Sequence, residues 1–180
     1  MFKRLLPDQI VNTVFDIDID VLRKQGVRGI ITDLDNTLVS AKTPLATPEL
    51  AKWLDSVKEL GFKVVILSNN NESRVGKFAE PLGIPFIPMA RKPGGAAFRR
   101  ALALMDLPAD KAVVVGDQMM TDVLGGRRAG LHTILVTPIA LSEEGWATRI
   151  NRRIEKIALR SLRKQGLWPV KPNEPDKEGR

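Results

Sequence analysis

The chain has 180 residues, of which 43% are hydrophobic and 27% charged, a balance that supports one packed domain and excludes a disordered or low-complexity polymer. It has no cysteine, which excludes a disulfide framework and any thiolate metal site, so packing must hold the fold. The net charge of +7 favours anionic partners without specifying a fold.

The opening stretch MFKRLLPDQIVNTVF carries a Lys-Arg pair but no long apolar run and no small-residue cleavage pattern, so no secretory signal is read and a cytoplasmic location is expected. No segment approaches the roughly 18 apolar residues of a bilayer-spanning helix. Residues 1–26 are expected to be an extension packed on a core of residues 27–141. From Val27 onward, short β-branched runs alternate with helical patterns. VRGIIT is followed by a helix over Pro48 to Leu60, KVVIL by one over Glu72 to Leu82, and IPFI by one over Pro93 to Met105. KAVVVG then precedes a helix over Thr121 to Ala129, and HTILV closes the series. Near-continuous apolar strands between amphipathic helices predict an α/β fold, a doubly wound, Rossmann-like parallel sheet with helices on both faces. Thr47 before Pro48 is an N-cap followed by a first-turn proline, and Gly61 and Gly83 stand where helices should stop. Gly125 and Gly126 each weaken a helix by about 1 kcal/mol relative to alanine and are read as close backbone packing.

Charge is concentrated late. Residues 142–166 carry seven basic and three acidic side chains, against 18 and 15 in residues 1–141. Trp146, Ile150, Ile154, Ile157 and Ala158 form one apolar stripe at helical spacing. Arg149, Arg152, Arg153, Lys156, Arg160, Arg163 and Lys164 surround it. Three readings are open: the stripe packs on the sheet domain, which is the usual fate of an amphipathic surface helix, it lies on an anionic membrane, or the basic face meets nucleic acid. Residues 167–180, LWPVKPNEPDKEGR, are proline-rich and polar and are expected to be a flexible tail.

The chemistry-bearing residues follow the strands. DLDNTL sets Asp33 and Asp35 two residues apart after the first apolar run, where an open α/β sheet builds its sites. An Asx-turn ending a strand would account for that stretch equally well. The later stretches break the tie: LSNN places Ser68 and Asn69 after KVVIL, RKP places Lys92 before a helix, and GDQMMTD places Asp117 and Asp122 after KAVVVG.

This ordered set resembles the four motifs of the haloacid dehalogenase (HAD) superfamily. The resemblance implies that Asp33 is the nucleophile toward a phosphate monoester and that Asp35 is the acid/base. It further implies that Mg²⁺ is held by Asp33, the main-chain carbonyl of Asp35 and Asp117, with Lys92 as a second cation against nucleophile and phosphate. Ser68 would bind a phosphate oxygen, and backbone N–H groups near Asn36 and Asn69 would complete the cradle. Thr37 is expected to fix the turn, and Asp122 to orient metal waters or Lys92. An acid at position 35 favours phosphatase over dehalogenase chemistry. His132, the only histidine, is read as structural.

HAD enzymes often carry a cap domain inserted after the first or second motif, and neither gap here is long enough to house one. Over most of the chain the sequence is similar to the subclass IIIA, YqeG-like phosphatases, which are related to mitochondrial-type phosphatidylglycerophosphate phosphatases. LLPDQIV, TDLDNTLV, LSNN, ARKP and GDQMMTDVLGGRRAG carry the likeness. It implies a Mg²⁺-dependent phosphomonoesterase, with phosphatidylglycerophosphate as a candidate substrate and a peripheral position at the inner face of the membrane. A soluble sugar or nucleotide phosphate is the catalytic rival. An RNA-binding or ribonucleoprotein-binding protein on a HAD scaffold is the rival of another class, disfavoured by the absence of tyrosine and an aromatic content of 5%.

Overall fold

Runs such as Ile30-Ile31 and Val113-Val114-Val115 place apolar side chains on both faces of a strand, and both faces must be covered. The computed structural model, which describes residues 3–140 and 146–168, meets that requirement with six parallel strands. They are β1 (Gln9–Val11), β2 (Gly29–Thr32), β3 (Lys63–Leu67), β4 (Phe86–Ile87), β5 (Ala112–Gly116) and β6 (His132–Val136), and they lie in the order β1-β6-β5-β2-β3-β4. The described helices are α1 (Ile19–Lys24), α2 (Pro48–Glu59), α3 (Glu72–Ala79), α4 (Gly95–Met105), α5 (Leu124–Arg128) and α6 (Trp146–Lys164).

On one face Leu22 of α1, Leu54 of α2 and Phe78 of α3 join Ile30, Val64, Ile66, Val113 and Val115 in one core cluster. On the other, Phe98, Ala101 and Met105 of α4 join Ile31, Val65, Leu67 and Val114. Alternate residues of each central strand thus serve opposite cores, which is why the strands read as continuous apolar runs. Thr47 caps α2 as expected, accepting the Leu50 N–H at 3.2 Å. α3 stops at Ala79, three residues short of its sequence-predicted end, and Glu80–Leu82 form a 3₁₀ turn in which Pro81 has no N–H to continue the α pattern. α4 begins at Gly95 rather than Pro93. A β-carbon on Gly126 would lie 2.3 Å from a Val114 methyl, and one on Gly125 would lie 2.4 Å from the Phe98 ring, so the glycine pair lets α5 press close to the sheet and α4.

The predicted helix over Thr121 to Ala129 begins as a π-helical turn, Met119–Val123, in which both Asp122 and Val123 donate to the Gln118 carbonyl. The N-terminal extension enters the sheet itself. β1 pairs in parallel with β6, and just before it the Asp8 carboxylate accepts the Thr133 N–H at 2.8 Å and pairs with Arg127 at 2.7 Å. Three residues are too short for strand periodicity to register. His132 belongs to this latch, 3.6 Å from the same Asp8 carboxylate.

Between β2 and β3 the chain forms a loop and α2, and between β3 and β4 it forms α3 and the short turn, so no cap domain is inserted. α6 does dock, with Ala158 and Leu162 buried against Leu5, Met119, Val123 and Leu135. Of the expected apolar stripe Ala158 docks, but its isoleucines do not: Ile150, Ile154 and Ile157 are 44%, 38% and 60% exposed. Periodicity finds an apolar face but does not decide which face the protein covers, and here the smaller Ala158 permits the closer approach. The Trp146 side chain and residues 169–180 of the expected tail lie outside the described residues, whereas Trp168 of that tail packs against the cluster that contains Leu5 and Leu162. Among the described residues no helix is long and apolar enough to cross a membrane.

Candidate active site

Chain order places the switch between β2 and its neighbours β3 and β5, so polar residues that follow these three strands share one edge of the sheet. Asp33 follows β2, Ser68 follows β3 and Asp117 follows β5. All three are buried. Lys92 arrives from the loop before α4, and its ammonium donates to Asp33 Oδ1 at 2.7 Å and to Asp122 Oδ1 at 2.8 Å. Thr37 lies between the two strand-end acids, donating to Asp117 Oδ1 at 3.2 Å with Asp33 Oδ2 at 3.4 Å.

Burial and charge act in opposite senses on Lys92. Desolvation lowers its pKa, but Asp122 and Asp33 outweigh that loss and hold it above the usual lysine range. Burial raises the Asp117 pKa well above the usual carboxylate range, Asp33 and Asp122 add repulsion, and Arg152 offsets part of the rise. Burial also raises that of Asp122, against the pull of Lys92.

Asp33, Asp117 and Asp122 offer carboxylate oxygens that all lie within 4.8 Å of one another. These are hard oxygen donors crowded at low dielectric, a set that could hold a divalent metal ion. Asp122 thus lies beside the two strand-end acids and holds the Lys92 ammonium. Gly116 makes room for it: a β-carbon there would lie 2.3 Å from Asp122 Cγ.

The Asp35 side chain is not in that cluster. Arg74 Nη2 and Nε donate to its Oδ1 at 2.8 and 3.2 Å, and Asn70 Nδ2 donates to its Oδ2 at 3.1 Å. Asn70 in turn donates its N–H to Ser68 Oγ at 3.1 Å, so its side-chain bond to Asp35 ties the loops after β2 and β3 together. Asn69 accepts the Lys92 N–H at 2.7 Å on Oδ1 and donates from Nδ2 to the Lys92 carbonyl at 3.3 Å, so its side chain fixes the lysine loop. Asn36, at φ 65°, spends its N–H on the Val39 carbonyl at 2.7 Å and accepts the Ile139 N–H. In this conformation it fastens the turn, and that N–H has no phosphate-binding capacity to spare.

Four participants escaped the sequence reading, Asn70 on Asp35 among them. Arg74 reads as a solvated residue of the first turn of α3. Arg152 reads as rim charge, yet it donates to the Asp117 carbonyl at 2.6 Å and pairs with the Asp117 carboxylate. Glu155, buried on α6, accepts from Arg152 at 3.1 Å and from the Met120 N–H at 3.0 Å. A hint was available in Glu155, the single acid within a basic helix at i+3 from Arg152.

Comparisons with known proteins show the family and the fold. A family described as HAD-hydrolase-like matches residues 89–144. The chain is 54% identical over 164 residues to the probable phosphatase YqeG of Bacillus subtilis, covering 91% of this chain and 95% of that protein. It is 28% identical to a chloroplastic/mitochondrial phosphatidylglycerophosphate phosphatase 1 of Arabidopsis thaliana, covering 92% of this chain and half of that longer protein. In fold it is similar to the cobalt-bound deoxy-D-mannose-octulosonate 8-phosphate phosphatase of Haemophilus influenzae, with a TM-score of 0.53 at 13% identity over 81% of this chain and 95% of that one.

Proposed function

From the premise that this chain belongs to the HAD-like phosphatases, in the family that includes YqeG, and is a phosphoric monoester hydrolase, we propose that it works through an aspartyl-phosphate on Asp33 with Mg²⁺ and acts on phosphatidylglycerophosphate at an anionic membrane surface. The observation that carries the chemistry is the meeting of the Asp33 carboxylate, the Lys92 ammonium and the Asp117 carboxylate in one buried cluster. Asp33 attacks phosphorus as the ester P–O bond breaks, and Asp35 gives its proton to the departing oxygen. Asp35 then takes a proton from the water that attacks the phosphoryl group, releasing inorganic phosphate and regenerating Asp33.

An anion approaching a dianion meets about 4 kcal/mol of repulsion per pair of unit charges at 4 Å and an effective dielectric of 20. Lys92 lowers that barrier, since its Nζ already lies against the nucleophile. Asp33, Asp117 and the Asp35 carbonyl would hold Mg²⁺, with Asp122 close at hand. When bound, the ion supplies Lewis-acid charge neutralisation at the phosphoryl oxygens. Arg74 and Asn70 fix the Asp35 carboxyl, Asn69 fixes the Lys92 loop, and Ser68 offers a hydroxyl to a phosphate oxygen.

Two observations support the lipid. The chain is similar to a phosphatidylglycerophosphate phosphatase, and α6 presents Ile150, Ile154 and Ile157 to solvent beside the exposed Arg153, Lys156 and Arg160. Among the described residues no cap domain stands over the site, which suits a substrate held in a bilayer. The test is phosphate release in Mg²⁺ from vesicle-borne phosphatidylglycerophosphate, sugar phosphates, nucleotides and an aryl phosphate, with Asp33→Asn as control. Lipid should be the best substrate, with an advantage that shrinks as salt rises, and Asp33→Asn should reduce turnover by roughly three orders of magnitude or more. Equal rates on lipid and soluble esters would refute the lipid assignment, and an active Asp33→Asn would remove Asp33 from the mechanism.

A further inference from the structure

Beside the reaction centre lies a cavity of about 540 Å³ between α6 and the β1-β6 edge of the sheet. That volume falls within the range of about 300–1,000 Å³ usual for small-ligand sites. Its walls have two characters. Ile10 of β1, Leu135 of β6, Leu159 of α6 and Trp168 give an apolar lining, while Lys156 and Arg163 of α6 supply cations. Asp117 also lines it, so the cavity reaches the acidic cluster, with Arg152 at the junction.

Asp33, Lys92 and Asp122 do not line this space. A phosphate group transferred to Asp33 is small, and a water-soluble alcohol leaving it would gain nothing from an apolar wall. The combination suits an alcohol that carries a second anionic group and then hydrocarbon: the anion meets Lys156 and Arg163 while the hydrocarbon covers Ile10, Leu135, Leu159 and Trp168. We infer that this cavity is the subsite for the phosphatidyl half of the substrate, with Lys156 and Arg163 on the internal phosphodiester and the apolar wall on the first part of an acyl chain. The inference rests on the lipid reading above and assigns it to particular residues. The cavity cannot contain two full acyl chains, so their remainder stays in the bilayer.

The test uses the full chain with Mg²⁺ and dihexanoyl phosphatidylglycerophosphate, kept below its micelle concentration so that no bilayer contributes. The readout is kcat/KM for this lipid divided by kcat/KM for an aryl phosphate. Lys156→Gln with Arg163→Gln changes two exposed side chains and should lower the ratio about tenfold, mainly through the lipid KM. Leu159→Asp should lower it at least as far. Should that variant fail to fold, the surface pair decides. A wild-type lipid preference that the pair and Leu159→Asp leave intact would overturn the subsite while the lipid reading stands. A wild type with no preference for the lipid would overturn both.

Discussion

Replacing Lys92 by methionine keeps much of the side-chain volume and removes the charge that lies between two buried acids. Its Nζ is 2.7 Å from Asp33 and 2.8 Å from Asp122, and 8% of the residue is exposed. At an effective dielectric of 20, each contact carries about 6 kcal/mol of attraction, offset by the cost of burying three charged groups. The net loss on removing one partner of a buried pair is about 3–5 kcal/mol, because the acids left behind are uncompensated. For a chain of this size each kcal/mol moves Tm by about 2–4 °C, so Lys92→Met should melt about 6–20 °C lower in a chelating buffer. Lys92 titrates above its ordinary range in the folded state. Its contribution is therefore whole below the unfolded value of about 10.4 and is lost as pH rises through the higher folded value, so neutral pH gives the full effect. Mg²⁺ should restore more stability to the variant than to the wild type, since it supplies the positive charge the acids lack. Aryl phosphate turnover should fall by about 10²–10³, the usual cost of losing one oxyanion donor. Circular dichroism melts with and without Mg²⁺ read the first effect, and phosphate release reads the second. A Tm within about 2 °C of wild type in chelator would refute the account of Lys92 as the counterion of this cluster.

Burial raises Asp117 well above the ordinary carboxylate value, with Asp33 and Asp122 adding to the rise and Arg152 offsetting part of it, so the metal-free fold binds a proton at this site more tightly than the unfolded chain does. The stability this proton lends in chelator should then be lost as pH rises through the raised folded value of Asp117, and Mg²⁺ affinity should fall as pH is lowered through it because ion and proton compete; melts and Mg²⁺ titrations at several pH values check both signs. Gly116→Ala would force a β-carbon against Asp122 and should cost about 1–3 kcal/mol of stability. The displaced carboxylate should also lower kcat by up to about a hundredfold, and wild-type kinetics in this variant would show that Asp122 has no fixed role. Ile154→Ser with Ile157→Ser alters the exposed α6 face and should weaken binding to anionic vesicles by roughly tenfold, with little change in Tm. Undiminished flotation that salt alone abolishes would indicate a purely electrostatic contact.

The parts of the site legible in the sequence are those that its ordered motifs carry. In a parallel sheet, residues that follow adjacent strands emerge side by side, but strand order is not written in the sequence, and it is the resemblance of the ordered motifs to the HAD superfamily that groups Asp33, Ser68 and Asp117. Lys92 and Asp122 follow from the same resemblance. What could not be read were pairings set by how helices dock. Nothing in NNNESR says that Arg74 turns onto Asp35, and nothing in RINRRIE says that Arg152 reaches Asp117 while Glu155 is buried behind it. The same limit applies to the isoleucine stripe: spacing defined the face, and docking through Ala158 and Leu162 left it outside.

The contact from Arg152 to Asp117 makes the last described helix an adjunct of the sheet's chemistry. A chimera that exchanges this helix for that of a relative is therefore an active-site variant, however remote the splice lies along the chain. Altered turnover in such a hybrid is to be traced first to the charge facing Asp117.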